Sequence, residues 1–354
     1  MRIVQLNPFH YPFMGGIEHR IHHMSRRLAK KHEVFVVTSR LHGTEREEVV
    51  DGYRVIRLDS KFIGHYNPPY VSSKGVLKAL QELEPDIVDF HYRWAPSYTR
   101  QVMKYHGKVV FTYHNTYGEG EGTMKVLSRV NDWSFMRKML GFDKVVCISE
   151  FVRADNARHG FPLDRMCVVP NGVEMPVEEP RDGGYILSLG RMVHTKGLRY
   201  LLEAMREVDT RLIMAGAGPE QERMKALSKK YGLTGKVEFP GRVSEERKRE
   251  LFSACTMFAM PSLFESYGIA AAEAMSYGKA VVATEVGGLP EVVAQCGVLV
   301  PPRDSEALAR GINSLLADRG RREELGRMAR ERASLYSWDR VAEMLEQIYL
   351  QVVG

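Results

Sequence analysis

Two carboxylates, Glu265 and Glu273, lie on either side of a glycine in the stretch 264–274. The stretch follows an apolar run, 257–261, typical of a buried strand, and it continues in small residues typical of a closely packed helix. Gly268 lies near the expected helix start, where unpaired backbone N–H groups and the positive end of the helix dipole favour an anion. Two interpretations are open: both glutamates are ordinary helix charges, or the stretch binds a ligand.

A pair of cations, Arg191 and Lys196, lies on either side of a turn that follows the apolar run 185–189. An arginine and a lysine next to free backbone amides are suited to a diphosphate. The glycine spacing and the Lys-Ser/Thr ending of a P-loop are absent. Solvated surface cations are the alternative interpretation.

Glycine-rich turns follow several other apolar runs, and each lets the backbone approach a ligand closely. They contain Gly15 and Gly16, Gly216 and Gly218, and Gly287 and Gly288. Each turn alone is also explained by steric needs. The G-x-G-x-x-G fingerprint is missing from the first turn, which argues against a nicotinamide-dependent dehydrogenase.

Four further residues stand at expected strand ends. His114 follows the run 109–113, where a histidine faces the ligand-binding edge of a parallel sheet, although a structural role is equally open. His91 ends a neighbouring run and is the weaker candidate. Arg242 and Val243 follow the run 236–239, where the backbone could contact a nucleobase.

Short apolar runs alternate with amphipathic segments throughout the chain, and this alternation predicts βαβ units. It breaks at 170–184, which is rich in proline, glycine and acid and is typical of a linker. We therefore expect an α/β protein with two doubly wound, Rossmann-like domains facing a central cleft. The amphipathic segment 338–353 is expected to form a terminal helix that crosses back to the first domain.

Charge is uneven along the chain of 354 residues. Residues 1–170 hold 25 Lys and Arg against 18 Asp and Glu, a net +7, whereas 171–354 hold 25 against 26, a net −1. An anionic acceptor or an acidic membrane surface would suit the first half. No nucleic-acid motif and no membrane-spanning run is found, and the four scattered cysteines predict reduced thiols. These features predict a cytoplasmic protein, with the inner membrane surface as a second expected location.

Taken in order, these motifs resemble the retaining, two-domain (GT-B fold) nucleotide-sugar glycosyltransferases of family four, also called group 1. The resemblance covers essentially the whole chain. It rests on the glycine turns, Arg191 with Lys196-Gly197, Glu265 with Glu273, and Pro170-Asn171-Gly172-Val173 at the domain junction. It implies an acceptor-side domain of residues 1–170 plus 338–354 and a nucleotide-sugar-binding domain of residues 171–337.

The resemblance also implies catalytic roles. Arg191 and Lys196 would hold the diphosphate and stabilise it as the leaving group. Glu265 would bind hydroxyls of the donor sugar. His114 would contact a donor hydroxyl and help to orient the nucleophile.

Donor binding is implied for a larger set of backbone and side-chain groups. Glu273 would accept both ribose hydroxyls, and Arg242 and Val243 would lie beside the base. The remaining donor contacts implied are Gly15, Gly16, Gly216, Gly218, Ser266, Tyr267, Gly268 and Ile269.

A front-face mechanism without a metal or other cofactor is what the resemblance implies, since no carboxylate nucleophile stands in the first-domain motifs. The partners would be a nucleotide-sugar and a hydroxyl acceptor, which could be anionic or lipid-linked. Acceptor contacts are expected in 41–52, 62–71 and 117–122, followed by a basic helix whose apolar face is expected to pack in the core. A nucleotide-sugar epimerase and a non-catalytic nucleotide-sugar-binding module are the alternatives.

Overall fold

The computed structural model describes residues 1–13, 15–63, 70–118, 122–177 and 180–354, with the side chains of 122–125 left out. Parts of the predicted linker 170–184 and of the predicted acceptor segments 62–71 and 117–122 therefore lie outside the described residues. The chain forms two compact units: residues 1–172 with 338–354, and residues 173–337.

The first unit is built on a sheet of eight strands in the order β10-β9-β8-β7-β1-β2-β4-β3, in which only the edge strand β3 is antiparallel to its neighbour among the described pairs. A separate hairpin joins β5 and β6. The strands are β1 (Arg2–Leu6), β2 (Glu33–Ser39), β3 (Glu47–Val50), β4 (Tyr53–Leu58), β5 (Ser60–Ile63), β6 (Tyr70–Ser73), β7 (Ile87–Phe90), β8 (Val109–Tyr113), β9 (Lys144–Cys147) and β10 (Met166–Val168). The helices are α1 (Gly16–Leu28), α2 (Val76–Leu83), α3 (Pro96–Val102), α4 (Gly122–Met139) and α5 (Glu150–Arg158).

The second unit has a parallel sheet of six strands in the order β13-β12-β11-β14-β15-β16. The strands are β11 (Tyr185–Leu189), β12 (Arg211–Ala215), β13 (Val237–Gly241), β14 (Met257–Met260), β15 (Val281–Thr284) and β16 (Gly297–Val300). The helices are α6 (Leu198–Ala204), α7 (Gln221–Lys230), α8 (Glu245–Ala254), α9 (Ile269–Ser276), α10 (Leu289–Val293), α11 (Ser305–Ala317) and α12 (Arg319–Ser334). Leucines of α6 and α11 cover one face of this sheet, and Phe252 of α8 packs on Phe258 of β14 on the other.

The terminal helix α13 (Trp338–Val353) belongs to the first unit, as the sequence predicts. Its apolar face, with Val341 and Leu345, packs on α1 and on the first sheet in one buried cluster. The opposite face of that sheet carries Phe111, which packs against Phe135 of α4. No described helix is long and apolar enough to cross a membrane.

Polar segments of the first unit depart from the prediction. The predicted helix 73–83 begins only at Val76, because Ser73 pairs with Ser60 across the β5–β6 hairpin. Strand β3 was not predicted, since its residues Glu47 and Glu48 are exposed and form no apolar run. Edge strands of this kind carry charges rather than a hydrophobic signal.

The prediction that the apolar residues of α4 pack in the core is wrong in part. Phe135, Met136 and Met139 are buried, as expected. A second apolar stripe faces solvent, however, and consists of Val126, Leu127, Val130 and Trp133, each more than half exposed.

Glycines let the loops at the carboxyl edge of the second sheet pack against each other. A Cβ on Gly216 would lie 1.9 Å from the carbonyl oxygen of Gly190, and one on Gly287 would lie 1.8 Å from that of Glu265. Gly216 also donates its N–H to the carbonyl of Gly241 at 2.8 Å. These residues therefore position the loops that carry Arg191 and Glu265, and the N–H of Gly216 already has a partner.

Replacing Gly287 with alanine should destabilise the protein more than the same change at Gly232. Both glycines have a left-handed backbone, with φ of 58° and 68°, so both variants lose about 1–2 kcal/mol to strain. Only at Gly287 does the new Cβ meet another group, and overpacking adds about 1–3 kcal/mol there. Urea unfolding of the two variants measures the difference, and equal losses would contradict this packing role.

Candidate functional site

The predicted site residues of the second unit lie at the carboxyl edge of its sheet, where ligands of open α/β sheets bind. Each follows a different parallel strand, so the strand order brings their loops side by side. Arg191 follows β11, Gly216 and Gly218 follow β12, Arg242 and Val243 follow β13, and Glu265 follows β14.

The ammonium group of Lys196 forms a hydrogen-bonded ion pair with the carboxylate of Glu265. Their loops are joined by the backbone as well, since the N–H of Leu263 donates to the carbonyl of Thr195 at 2.7 Å. Arg191 is exposed, and no acidic side chain of the described residues pairs with it. The edge thus presents a neutralised pair beside an unneutralised guanidinium.

A pocket opens between these loops at the ends of β11, β12 and β14. Both cations of the predicted diphosphate site contribute to its wall. The lining residues are Ser188, Leu189, Gly190, Arg191, Lys196, Leu198, Met214, Ala215, Met260, Pro261 and Ser262.

Helix α9 begins directly after Gly268, which is its N-cap with φ of 106°. A Cβ there would lie 2.5 Å from the side chain of Leu289, so only glycine fits this turn. The first backbone N–H groups of α9, from Ile269 on, have no intrahelical acceptor, as at any helix start. Ser266 and Tyr267 come immediately before, and Tyr267 is buried.

Glu273 lies about one turn inside α9, which starts at Ile269. Lys248 of α8 donates to Glu273 at 3.0 Å and pairs with Glu245 at 2.8 Å. Burial raises the pKa of Glu273, and the charge of Lys248 opposes that rise. Burial lowers the pKa of Lys248, but Glu273 and Glu245 outweigh it, so the net shift is upward.

In the first unit, His114 follows β8 and meets His91, which follows the adjacent β7. Their ring nitrogens, Nε2 of His114 and Nδ1 of His91, lie 3.1 Å apart. Burial lowers the pKa of His91 to about 4 and that of His114 well below its ordinary value of 6.5. Both rings are therefore neutral at physiological pH. His91, the weaker candidate, is hydrogen-bonded to His114, the stronger one.

A buried ion pair fastens the loop after His114 to α4. Arg93 donates to Asp132 at 2.6 Å and to the side-chain oxygen of Asn115 at 2.9 Å. Asp132 also accepts the N–H of Gly118 at 2.8 Å. Both charged groups are nearly inaccessible to water, so this contact fixes where the loop leaves the sheet.

The turn with Gly15 and Gly16 precedes α1, with Gly15 as the N-cap. Glu18 bends back over it: a Cβ on Gly15 would lie 2.4 Å from a carboxylate oxygen of Glu18. The other oxygen accepts from the amide of Asn7 at 3.1 Å. Burial raises the pKa of Glu18 to about 7.

The structure thus brings Arg191, Lys196 and Glu265 together, and it leaves Arg242 exposed with Val243 half-buried. Sequence reasoning missed Lys248, because no local pattern shows that α8 packs beside α9. It also missed Glu18 as a site residue, although a glutamate three positions after an N-cap is a capping-box signal. Among the described residues, no cluster of three or more His, Cys, Asp or Glu side chains could hold a metal ion.

Two family models match the chain, one to each half. The model described as Glycosyltransferase Family 4 matches residues 14–175, and the model described as Glycosyl transferases group 1 matches residues 175–332.

Individual relatives are similar over long stretches. One subunit of the phosphatidylinositol N-acetylglucosaminyltransferase of Arabidopsis thaliana is 27% identical over 372 residues, covering 99% of this chain and 81% of the relative. Alpha-maltose-1-phosphate synthase of Mycolicibacterium smegmatis is 32% identical over 259 residues, covering 63% and 67%.

A crystal structure of Anabaena HepE in complex with UDP and glucose has a similar fold, with a TM-score of 0.82 and 19% identity over 99% of this chain and 100% of that one. The similarity extends over both units, and the name of the Arabidopsis relative describes an N-acetylglucosaminyltransferase. The two family models adjoin at residue 175 and together span nearly the whole chain, so this protein belongs to the group 1 glycosyl transferases and has their GT-B fold.

Proposed function

We propose that this glycosyltransferase moves a sugar from a nucleoside-diphosphate sugar to a hydroxyl acceptor with retention of configuration, by a front-face route that needs no metal or other cofactor. The observation that carries the proposal is the exposed Arg191 beside the Lys196–Glu265 pair at the end of β11. Two cations there suit a diphosphate leaving group. The carboxylate of Glu265, in the loop that leads into α9, suits sugar hydroxyls.

The charge arrangement favours the departing diphosphate. As the bond from the sugar to the diphosphate breaks, negative charge grows on the phosphate oxygens, and fixed cations stabilise it without reorganising. Arg191 can offer parallel N–H donors. Lys196 is held in place by Glu265, so it can contribute its charge with little loss of side-chain entropy.

Retention requires either a nucleophilic carboxylate close to the anomeric carbon or attack from the leaving-group face. Three buried carboxylates of the first unit are each engaged by another side chain: Glu18 by Asn7, Asp89 by Thr112 and Asp132 by Arg93. In the front-face route, the acceptor oxygen bonds to the anomeric carbon as the phosphate oxygen leaves. The acceptor proton passes to that phosphate oxygen.

Donor recognition is assigned to groups around α9. Glu265 would bind hydroxyls of the sugar, and the N–H groups at the start of α9 would bind sugar and phosphate oxygens. Glu273 would accept both ribose hydroxyls in its ionised form, which Lys248 favours. The UDP and glucose in the HepE structure support this class of donor.

We also propose a lipid-linked acceptor at an anionic membrane surface. The exposed stripe of α4, from Val126 to Trp133, is apolar, and the exposed basic residues Arg129, Arg137 and Lys138 flank it. The guanidinium of Arg137 lies 3.8 Å above the Trp133 ring. Apolar residues, a tryptophan and cations on one helix face are typical of interfacial binding. The name of the Arabidopsis relative includes phosphatidylinositol, a lipid.

Substituting Arg191 or Lys196 with alanine should nearly abolish transfer, by roughly 10²- to 10³-fold in kcat, because each removes a group that stabilises leaving-group charge. The fold should persist, since both side chains lie at the surface of the pocket. Release of nucleoside diphosphate from the donor measures the rate. Arg310→Ala, which removes an exposed α11 cation, is the control and should keep the wild-type rate. Wild-type rates in both site variants would contradict the assignment.

Donor affinity should depend on pH through Glu273. Its pKa lies above the ordinary 4.5, so its ionised fraction, and with it ribose binding, falls as pH decreases through that raised value. Lys248→Gln removes the charge that opposes the rise, so the pKa increases further and affinity is lost at a higher pH. Calorimetric titration with nucleoside diphosphates across pH 5–8 measures the affinity of Lys248→Gln. The same titration of Lys225→Gln, which changes an exposed lysine, is the control. Superimposable curves would exclude the ribose role.

Vesicle binding should depend on Trp133. Trp133→Glu places a charge in the apolar stripe and should lower co-sedimentation with anionic vesicles several-fold, whereas Val49→Glu, at an exposed site on β3, should not. Binding should weaken with added salt, because the flanking cations contribute. Equal binding of both variants, or no salt-sensitive binding by the wild type, would contradict a membrane surface on α4.

A further inference from the structure

Polar side chains occupy one buried face of three adjacent strands in the first unit. Gln5 of β1 lies beside Asp89 of β7, and Thr112 of β8 follows on the next strand. All three are completely buried, and Tyr349 of α13 packs over them, also buried. Burying polar groups costs free energy unless they are hydrogen-bonded. Four buried polar side chains in one place therefore call for an account of their partners.

These groups form a continuous chain of hydrogen bonds that ends at His114. The hydroxyl of Tyr349 lies 2.5 Å from Asp89, and the amide nitrogen of Gln5 lies 2.8 Å from that hydroxyl. The amide oxygen of Gln5 lies 2.7 Å from Nε2 of His91, whose Nδ1 lies 3.1 Å from Nε2 of His114.

The chemistry of the Asp89 end sets the direction of every bond. A carboxylate only accepts, so the hydroxyls of Tyr349 and Thr112 both donate to Asp89. Because the Tyr349 hydroxyl already donates its proton to Asp89, its oxygen can only accept, and it accepts from the amide nitrogen of Gln5. The Gln5 oxygen must then face His91, and it accepts the proton on Nε2.

The proton on His91 Nε2 leaves Nδ1 of that neutral ring as an acceptor. Nε2 of His114 must therefore carry a proton and donate it to His91. Burial is the main cause of the lowered pKa of His114, and the charges of Arg20 and Arg93 oppose a second proton as well. A neutral imidazole with Nε2–H has a lone pair on Nδ1.

We propose that the chain from Asp89 through Tyr349, Gln5 and His91 holds His114 in the Nε2–H tautomer, so that its Nδ1 accepts a hydrogen bond from a hydroxyl of the sugar substrates. No hydrogen bond to this Nδ1 comes from any described residue. The assignment of a sugar hydroxyl as the donor to Nδ1 rests on the proposed function, whereas the assignment of the tautomer does not. Asp89, Tyr349, Gln5 and His91 are thus positioning residues.

The opposite tautomer is disfavoured by what it would require. Gln5 would have to turn its amide, which would place its oxygen beside the Tyr349 hydroxyl and its NH₂ group beside His91. The single Tyr349 proton would then serve either Gln5 or Asp89: either the Gln5 oxygen would lack this donor, or Asp89 would keep Thr112 and lose Tyr349. A buried unsatisfied polar group is costly, so the wild-type chain has one preferred direction.

Nitrogen-15 NMR of histidine-labelled protein tests the inference in the apo state. The wild type should show a neutral His114 with its proton on Nε2 at pH 7.5, assigned by its absence in His114→Asn. Tyr349→Phe removes the hydroxyl that orders the chain, so His114 should populate both tautomers. Tyr98→Phe removes another buried hydroxyl of this unit, bonded to Ser39, and should leave His114 unchanged. A charged or Nδ1–H His114 in the wild type would overturn the inference, even if the variants failed to fold.

Kinetics separates this role from a structural one. Tyr349→Phe should lower kcat by about threefold to tenfold, the effect of one neutral hydrogen bond, and leave nucleoside diphosphate affinity unchanged. Tyr98→Phe should keep the wild-type kcat. A single Nε2–H tautomer in Tyr349→Phe would overturn the chain as its cause. If the predicted tautomers were observed but no donor were turned over, the proposed function would fail and the tautomer inference would stand.

Discussion

Helices cover both faces of the central parallel strands in each sheet, so a side chain of these strands that must meet a substrate can emerge only where the strand ends. In the second unit this places Arg191 and Glu265 on neighbouring loops, although they lie far apart in the chain. The loops must also pack closely, and glycines such as Gly216 and Gly287 make this packing sterically possible. The position of each charged group thus depends on backbone-to-backbone contacts beneath it.

Charge pairing determines which groups are available to a ligand. Glu265 neutralises Lys196, and Glu273 is held by Lys248, whereas Arg191 has no acidic partner among the described residues. A diphosphate at the proposed site would contact one unneutralised guanidinium and one lysine whose charge is shared with Glu265. This arrangement favours a ligand that carries hydroxyls beside its phosphates, because hydroxyls can donate to Glu265 while phosphate oxygens accept from the cations.

The sequence was sufficient for features that depend on local pattern. Buried strands such as Val109–Tyr113 and Tyr185–Leu189 have the predicted bounds because continuous apolar runs mark strands covered on both faces. Pairings between distant elements had no such signal. The contacts of Lys248 with Glu273 and of His91 with His114 depend on which helices and strands are neighbours. The edge strand β3 and the exposed apolar stripe of α4 depend on which surfaces no other element covers. The isolated polar residues Gln5 and Asp89 within apolar strands were visible in the sequence, but their common partner Tyr349 was not.

The start of α1 places a condition on the donor contact that the resemblance implies for Gly16. A phosphate bound there would face the carboxyl group of Glu18, which bends back over Gly15 and is almost inaccessible to water. Two negative charges at one helix start repel each other. Burial raises the pKa of Glu18 to about 7, so this group takes up a proton far more readily than an exposed glutamate, and a nearby phosphate would raise its pKa further. In the protonated form Glu18 can donate a hydrogen bond, so phosphate binding at Gly16 would be coupled to proton uptake at Glu18.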